Sequence, residues 1–230
     1  MPSKTTIEFK AFLFLIAISS ISACGEKNSR ELEKATTAYQ SHDTKTALDI
    51  LSPLAKEGEA EAQFLLGKIH YEKAASLVTD SRGVYQASNK PIIKQEYLEA
   101  HSWFLKAAEQ EHAEAEASLG EMYNTGKGVE KNDEEAIRWI KKSAENGSSR
   151  GQSYLGTVYL RGKLLPRDYD LAMHWYKKSA AQEYPDAEYS LALMYERGQG
   201  VQSDHKEAST WMAKAASHGH AEAKSLLGWR

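Results

Sequence analysis

The chain carries eight histidines, and two of them, His218 and His220, form an H-x-H pair close to Glu222. Imidazole and carboxylate groups at this spacing could hold a metal ion, although a metal site needs three or four convergent ligands. The place of His220 recurs every 36 residues along the chain, where it is filled by His112, Ser148 and Tyr184. A place that accepts serine and tyrosine is not built for a metal, so we predict a solvated turn at His218 and His220.

The loop Gly126-Lys127-Gly128 is a second place where chemistry could be expected, because glycine-rich loops with a lysine bind phosphate groups. The G-x-x-x-x-G-K-[ST] spacing of such loops is absent, however. The same loop recurs as Gly198-Gln199-Gly200, so its lysine is dispensable. We therefore predict a turn, in which Gly126 ends a helix in the left-handed conformation.

A cluster of acids lies just before and inside a predicted helix: Glu109, Glu111, Glu114 and Glu116. These acids could attract a basic partner. Acids are also favoured in the first turn of a helix by the helix dipole, and we prefer this second interpretation. No serine, histidine and acid can be placed together on one structural unit. The sequence thus indicates neither a catalytic site nor a cofactor nor a metal site, and it predicts a protein that is not an enzyme.

Cys24 is the only cysteine, and it follows a segment that is typical of a secretion signal. Lys4 and Lys10 precede an apolar run at residues 11–20, and this run is too short to cross a bilayer, which takes about 20 residues. The residues Ile21-Ser22-Ala23-Cys24 resemble the lipobox of bacterial lipoproteins. The resemblance implies cleavage after Ala23 and a lipid on the Cys24 sulfur. The alternative is an ordinary signal peptide at residues 1–23 with a chance cysteine.

The lipid would hold the protein at a membrane through a polar tether at residues 24–30. By resemblance to bacterial sorting signals, Gly25 in place of aspartate favours the outer membrane of a Gram-negative host, with the chain facing the periplasm. The net charge is −3, and removal of residues 1–23, with two lysines and one glutamate, makes it −4. No basic stripe is present, which argues against nucleic acid as a partner.

Tryptophans spaced 36 residues apart dominate the rest of the chain: Trp103, Trp139, Trp175 and Trp211. Leucines repeat with the same spacing at Leu119, Leu155, Leu191 and Leu227, and alanines at Ala100, Ala136, Ala172 and Ala208. A fixed period of this size is the sign of one helical unit stacked on copies of itself. We interpret the tryptophans as framework residues that each unit must bury, and as poor candidates for a binding site.

Residues 113–148 show how one unit is built. Ala115, Leu119 and Tyr123 share one face of a first helix, and Ala136 and Trp139 share one face of a second. The pattern AxxxLGxxYxxGxGV…AxxWxxKxA resembles the Sel1-like repeat, a relative of the tetratricopeptide repeat. The resemblance implies an all-α protein, a right-handed α-solenoid of helical hairpins, whose task is to bind another protein.

The array is less regular at its edges. We assign residues 31–58 to an N-terminal capping hairpin of tetratricopeptide type and residues 59–230 to the repeat array. Ala100 follows Leu66 by 34 positions, whereas Ala136 follows Leu119 by 17, so we expect an insertion at about residues 73–97. Residues 221–230 form half a unit, which would close the core as a terminal cap.

Positions that differ between units are free for recognition, because the shared positions hold the fold together. On the first helices these positions lie two before, two after and five after the repeated leucine, and by resemblance this stripe lines the concave face. The insertion offers a second surface. The predicted partner-binding residues are Phe64, Lys68, Tyr85, Ile92, Glu121, Asn124, Thr157, Leu160, Tyr189, Leu193 and Glu196. Leu160, Tyr189 and Leu193 would form an apolar patch, unless Tyr189 and Leu193 only pack against neighbouring units.

The resemblance also implies two hypotheses for the partner. Small Sel1-like lipoproteins resemble immunity proteins, which neutralise envelope-targeting toxins such as type VI secretion phospholipases. Other members resemble adaptors or regulators of peptidoglycan enzymes or of polysaccharide-export complexes. The small size and the simple anchor favour immunity. We expect a protein partner, a membrane contact through the lipid, and a chain that is monomeric apart from its partner.

Overall fold

The computed structural model describes residues 27–79, 83–84 and 86–228. Cys24 and Tyr85 lie outside the described residues. Helix α1 covers residues 27–40. The helices that follow are α2 (Thr44–Lys56), α3 (Ala60–Ser76), α4 (Lys90–Ala108), α5 (Ala113–Thr125), α6 (Asp133–Glu145), α7 (Ser149–Arg161), α8 (Tyr169–Ala180), α9 (Pro185–Arg197), α10 (His205–Ser217) and α11 (Ala221–Leu227). Within the described part of the chain, none of these helices is long and apolar enough to cross a membrane.

The helices form a stack of hairpins. Helices α3 and α4 pack together, as do α5 with α6, α7 with α8, and α9 with α10. Each of these second helices then packs on the first helix of the next hairpin, and α5 also contacts α7 directly. The predicted all-α solenoid is confirmed, because every hairpin buries its apolar side against its neighbours along the chain.

Small and branched side chains at the repeated places build the core. Ala100, Ala136 and Ala172 are fully buried, since an alanine lets two helices approach closely. Leu119, Leu155 and Leu191 are buried beside them, at 2% exposure or less. Their burial explains the 36-residue period, because each hairpin presents the same residue types to the next.

The tryptophans are less buried than the sequence predicts. Trp139 is 6% exposed, whereas Trp103, Trp175 and Trp211 are only partly buried. Each ring carries the ammonium group of a lysine three residues later, 4.0 to 5.5 Å from its centroid: Lys106, Lys142, Lys178 and Lys214. Residues three apart lie on the same helix face, so one side of each indole meets the core and the other meets a cation.

The predicted turns are confirmed, with one difference at His220. Gly126 ends α5 with a left-handed φ of 73°. His220 is the N-cap of α11, where its Nδ1 accepts a hydrogen bond from the Ala223 amide at 3.2 Å. Its ring also stacks on Tyr189 with the centroids 4.2 Å apart, and His218 Nδ1 lies 2.8 Å from a Glu188 oxygen. The predicted solvated turn is present and His218 is exposed in it, whereas His220 is only partly exposed because its ring packs on Tyr189.

A buried polar side chain recurs three residues before each repeated leucine, at Gln63, Glu116, Gln152 and Glu188. Each one is hydrogen-bonded to a side chain in the turn that follows its own hairpin: Gln110, Asn146, Gln182 and His218 respectively. Glu116 and Glu114 do lie in the first turn of α5, as predicted. Glu116 is nevertheless fully buried, and Lys142 lies 3.0 Å from its carboxylate, so its role is to join two helices.

The two edges of the array differ from the regular units. The segment at residues 73–97 is partly helical, because α3 continues to Ser76 and α4 begins at Lys90. At the other end, α11 buries Ala223, while Leu226 and Leu227 are 67% and 41% exposed. The expected cap thus covers the last core cluster through its first turn alone, since within the described residues no helix packs on its leucines.

Candidate functional site

Three neighbouring cavities lie along the first helices, on the side where the sequence predicts recognition. The first, which we call the aromatic cavity, has a volume of about 310 Å³ and is lined by Phe64, Lys68, Tyr71, Phe104, Glu121 and Arg150 among others. The second, the central cavity, measures about 220 Å³ and includes Glu121, Arg150, Tyr154, Thr157 and Tyr184. The third, the basic cavity, measures about 390 Å³ and includes Asn124, Lys131, Tyr154, Thr157, Arg161 and Lys163. Shared walls make them one continuous surface.

Three rings form the floor of the aromatic cavity. Phe64 and Tyr71 from α3 lie 5.9 and 6.5 Å from the ring centroid of Phe104 on α4. Phe64 also stacks on His112, the residue that caps α5, at 4.6 Å. A concave, ring-lined surface of this size suits one large apolar side chain, which is how interface anchors commonly bind.

Arg150 of α7 joins two hairpins at the rim of this cavity. Its Nη2 donates to the Glu114 carbonyl at 2.9 Å and to the Ser118 hydroxyl at 2.6 Å. Its other nitrogens lie 3.3 Å from Glu114 Oε2 and 3.8 Å from Glu121 Oε2. The guanidinium therefore fixes the wall shared by the aromatic and central cavities.

The Tyr71 hydroxyl sits between opposite charges. It donates to Glu121 Oε1 at 2.5 Å and accepts from Lys127 Nζ at 2.6 Å. Burial, together with the hydrogen bond to Glu121, raises the pKa of Tyr71 well above its usual range. The hydroxyl therefore stays protonated, and it acts as a bridge within the wall.

The central cavity is more polar. Burial, with the nearby Asp186 carboxylate, raises the pKa of Tyr184 to about 12. Thr157 donates its hydroxyl to the Ser153 carbonyl at 3.1 Å and shares a 2.8 Å hydrogen bond with the Tyr176 hydroxyl. These groups are neutral donors and acceptors near neutral pH. They can orient a bound chain, but they offer no activated nucleophile.

The structure brings some predicted residues together and leaves others apart. Phe64, Lys68, Glu121, Asn124 and Thr157 line the three cavities. The remaining described residues do not line these cavities. Leu160 and Tyr189 pack against core clusters, and Leu193 is partly buried. Glu196 is exposed, with its Oε2 2.9 Å from His205 Nδ1, and Ile92 is 50% exposed at the start of α4. Packing takes up much of the surface of Leu160 and Tyr189. Tyr85 is a prediction that lies outside the described residues.

Several cavity residues escaped the sequence argument. Tyr71 lies five positions after Leu66, so the rule used for the other units would have found it. Arg150 could not be found in this way, because it lies at the start of α7 and acts on the preceding hairpin. In the described part of the chain, no group of three or more His, Cys, Asp or Glu residues is arranged to hold a metal ion.

The similarity of this chain to a known repeat family and to solved structures agrees with this geometry. The Sel1 repeat pattern matches residues 60–77, 85–112, 113–148, 149–184 and 185–220. A Sel1 repeat protein from Oxalobacter formigenes is similar, with 33% identity and a TM-score of 0.61 over 80% of this chain and 48% of its own. A protective antigen of uropathogenic Escherichia coli shows 28% identity and a TM-score of 0.65 over 91% of this chain and 42% of its own.

A third solved structure is similar in fold, and its low sequence identity supports the fold only. It is a Sel1 repeat protein from Klebsiella pneumoniae, with 19% identity and a TM-score of 0.55 over 87% of this chain and 91% of its own. The chain spans about half the length of the first two structures. No curated protein matches it. Since the repeat pattern covers most of the chain at the helix pairs described above, this chain belongs to the Sel1 repeat family.

Proposed function

We propose that this chain is a non-enzymatic lipoprotein that faces the periplasm and binds another protein on its first-helix surface. Its most concrete role would be that of an immunity protein, which neutralises an envelope-targeting toxin such as a type VI secretion phospholipase. Sel1 repeats typically serve as scaffolds for interactions between proteins, and the family assignment supports this part of the proposal.

The aromatic cavity carries the proposal. An exposed socket with three rings as its floor and fixed charges at its rim suits a buried anchor residue surrounded by polar contacts. The rim is preorganised, since Arg150 and Tyr71 already hold Glu121 in place. Preorganisation lowers the entropy that must be lost when a partner binds.

The N-terminal segment supports the location. Cys24 follows residues that resemble a lipobox, and a lipid with a second acyl chain would anchor the protein stably. Helix α1 is in place by residue 27, so the solenoid would stand close to the membrane surface. A toxin that acts on the envelope would then meet the protein where it attacks.

The experiment is a capture assay with the mature lipoprotein, extracted in mild detergent from its host. The bound protein is identified, and its affinity is measured for Phe64→Ala with Lys68→Ala. The control is Leu171→Ala with Lys178→Ala, which removes an exposed apolar side chain and a lysine from α8, away from the aromatic cavity. We expect binding to weaken at least about tenfold in the cavity variant, as for interface anchors, and to change little in the control. Equal losses in both variants would place the partner elsewhere.

The immunity role has its own test. The captured protein is produced in the periplasm of a susceptible host, with and without this chain, and growth is followed. Rescue of growth that depends on the aromatic cavity supports immunity. A captured cell-wall enzyme or export component whose activity rises on binding would support the adaptor hypothesis instead. Capture of no protein, with turnover of a small substrate by the purified chain, would overturn the binding function itself.

A further inference from the structure

Lys127 and Lys163 hold equivalent places in consecutive units, each eight residues after the repeated leucine at Leu119 or Leu155. Their surroundings differ. Lys127 donates to the Tyr71 hydroxyl at 2.6 Å and lies 3.6 Å from a Glu121 oxygen. Within the described chain, Lys163 forms no ion pair, and it lines the basic cavity. The same ammonium position is thus satisfied in one unit and open in the next.

The difference follows from two substitutions between the units. Asn124 holds the place of Tyr71, and Thr157 holds the place of Glu121. Both line the basic cavity with Lys163. The carboxylate that serves Lys127 therefore has no counterpart beside Lys163, although the backbone positions are repeated.

The loop that follows α7 also departs from the repeat. In the other units this loop carries Gly128 or Gly200, and a Cβ there would lie 2.7 Å from the Tyr97 carbonyl oxygen or 2.8 Å from that of Tyr169. Leu164 stands at this place in the loop after α7. Its side chain is partly buried against the core cluster that includes Ala136 and Ile140 of α6, and it forms part of the lining of the basic cavity.

The wall of the basic cavity that α6 contributes also differs from the other units. The residue that Leu164 would face is Asp133, 36 positions after Tyr97 and 36 before Tyr169. Aspartate thus stands where the two neighbouring units have a tyrosine, and its side chain lines the basic cavity. Asp133 is already paired, since Lys131 Nζ lies 2.5 Å from its Oδ1. The basic cavity therefore lies where leucine replaces the loop glycine and aspartate replaces the tyrosine.

The charges that line this cavity are mainly positive. Lys131, Arg161 and Lys163 face the single carboxylate of Asp133, which leaves a formal charge of +2. Among the described residues, neither Arg161 nor Lys163 has an ion-pair partner. The chain as a whole carries a net charge of −3, so this cationic site is not an average property of the surface.

We propose that the basic cavity binds a glutamate or aspartate side chain of the protein partner, whose carboxylate takes the place beside Lys163 that Glu121 occupies beside Lys127. The inference rests on the proposed protein-binding function and deepens it. Arg161 supplies a second cation, and Asn124 and Tyr154 supply hydrogen-bonding groups. Burial raises the pKa of Tyr154, so its hydroxyl remains a donor near neutral pH.

Thr157→Glu is the sharpest test, because it installs in this unit the carboxylate that the preceding unit already has. The probe is a fluorescein-labelled hexaglutamate peptide, with a hexaglutamine peptide as its neutral control, at low ionic strength. We expect the full chain to bind hexaglutamate and not hexaglutamine. We expect Thr157→Glu to weaken that binding at least about tenfold, since the new carboxylate occupies Lys163.

A second variant keeps the test valid if Thr157→Glu perturbs the fold. Arg161→Gln with Lys163→Gln removes the two open cations, and its control, Lys141→Gln with Lys177→Gln, removes two charges from the second helices. We expect at least about tenfold weaker binding for the cavity pair and little change for the control. Equal loss in both pairs would overturn the proposal, since it would reflect net charge alone. Displacement of the peptide by an equal concentration of inorganic phosphate would also overturn it, because the site would then prefer a phosphate.

The outcome is separable from that of the proposed function. One outcome is that the captured partner and hexaglutamate each bind the Arg161→Gln, Lys163→Gln chain as tightly as they bind the unchanged chain. In that case the carboxylate site is refuted, while the protein-binding function stands. If hexaglutamate binding depends on the cavity but no partner protein is found, the site stands and the proposed function fails.

Discussion

His218 reaches back across its hairpin to Glu188, with Nδ1 2.8 Å from Oε2, and the Glu188 side chain is only 2% exposed. Because a carboxylate can only accept, the imidazole donates its Nδ1–H. The equivalent place is filled by Gln152 in the preceding unit, where an amide from Gln182 meets it at 2.9 Å. A histidine–glutamate pair and a glutamine–glutamine pair thus form the equivalent contact between helices in two consecutive units.

This equivalence predicts different costs for two changes at one site. Glu188→Ala should lower the free energy of unfolding by about 1–3 kcal/mol, because it removes the hydrogen bond to His218 and leaves a cavity in place of a buried side chain. Glu188→Gln should cost clearly less, since glutamine fills this place in other units. Chemical denaturation at neutral pH, followed by circular dichroism, measures both. Equal losses would show that the charge itself, rather than a hydrogen-bonding group, is required.

The carboxylate of Glu96 predicts acid sensitivity. Burial acts to raise its pKa, but hydrogen bonds from Lys73 at 2.6 Å and His70 at 2.7 Å outweigh this and hold the pKa below the ordinary 4.5. A pKa lower in the folded than in the unfolded chain stabilises the fold above pH 4.5 or so, and this stability is lost as the pH falls through the folded-state value. Glu96→Gln should therefore flatten the acid limb of the unfolding free energy against pH. Glu99→Gln in the same helix is the control, and an equally flattened limb there would refute the assignment.

Gly128 predicts a steric cost that a second glycine can isolate. Gly128→Ala would bring a Cβ within 2.7 Å of the Tyr97 carbonyl oxygen at a φ of 74°. Gly58 has a φ of 100°, and no atom would lie within 4 Å of a Cβ there. Gly58→Ala should cost about 1 kcal/mol from backbone strain alone, and Gly128→Ala should cost at least about 1 kcal/mol more. Thermal unfolding compares them, and similar values would mean that the loop moves away freely.

Tyr189 predicts a local effect at the end of the array. Its ring stacks on His220, the N-cap of α11, so Tyr189→Ala should loosen that helix and lower stability by about 1–3 kcal/mol. Amide hydrogen exchange should rise in α11 and the end of α10, while α5 and α6 remain protected. Unchanged exchange, with a weaker partner interaction, would instead support the original prediction that Tyr189 belongs to the binding surface.

Cys24 predicts a change of compartment. Cys24→Ser removes the sulfur that the proposed lipid requires, so the chain should move from the membrane fraction to the aqueous fraction. Metabolic labelling with a radioactive fatty acid should mark the unchanged protein and not the variant. Label in both forms, or membrane association in both, would contradict the lipid anchor.

The helices and their order could be predicted from the sequence because the apolar spacing is repeated four times. Trp139 and Ala136 identify one helix face, and the same residue types recur at the same spacing in the other units. The capping role of Gly126 followed in the same way, since a glycine after the last apolar residue is a local signal.

The cavities could be predicted only in part, because they depend on contacts between units. Phe64 and Thr157 were found as variable residues of the first helices, but Arg150 acts through Glu114 of the preceding hairpin, which no single unit reveals. Tyr189 shows the opposite limit. It varies between units, as a recognition residue would, yet its ring is used for packing against His220.

The basic cavity has walls on two consecutive hairpins, with Asn124 and Lys131 on one side and Arg161 and Lys163 on the other. In a stack whose units touch only their neighbours, the angle at each joint sets the pitch of the whole coil. An occupant of this cavity would act as a wedge at a single joint. The stiffness of the coil would then depend on whether that wedge is present, and a partner that supplies one would tune the span of the surface it binds.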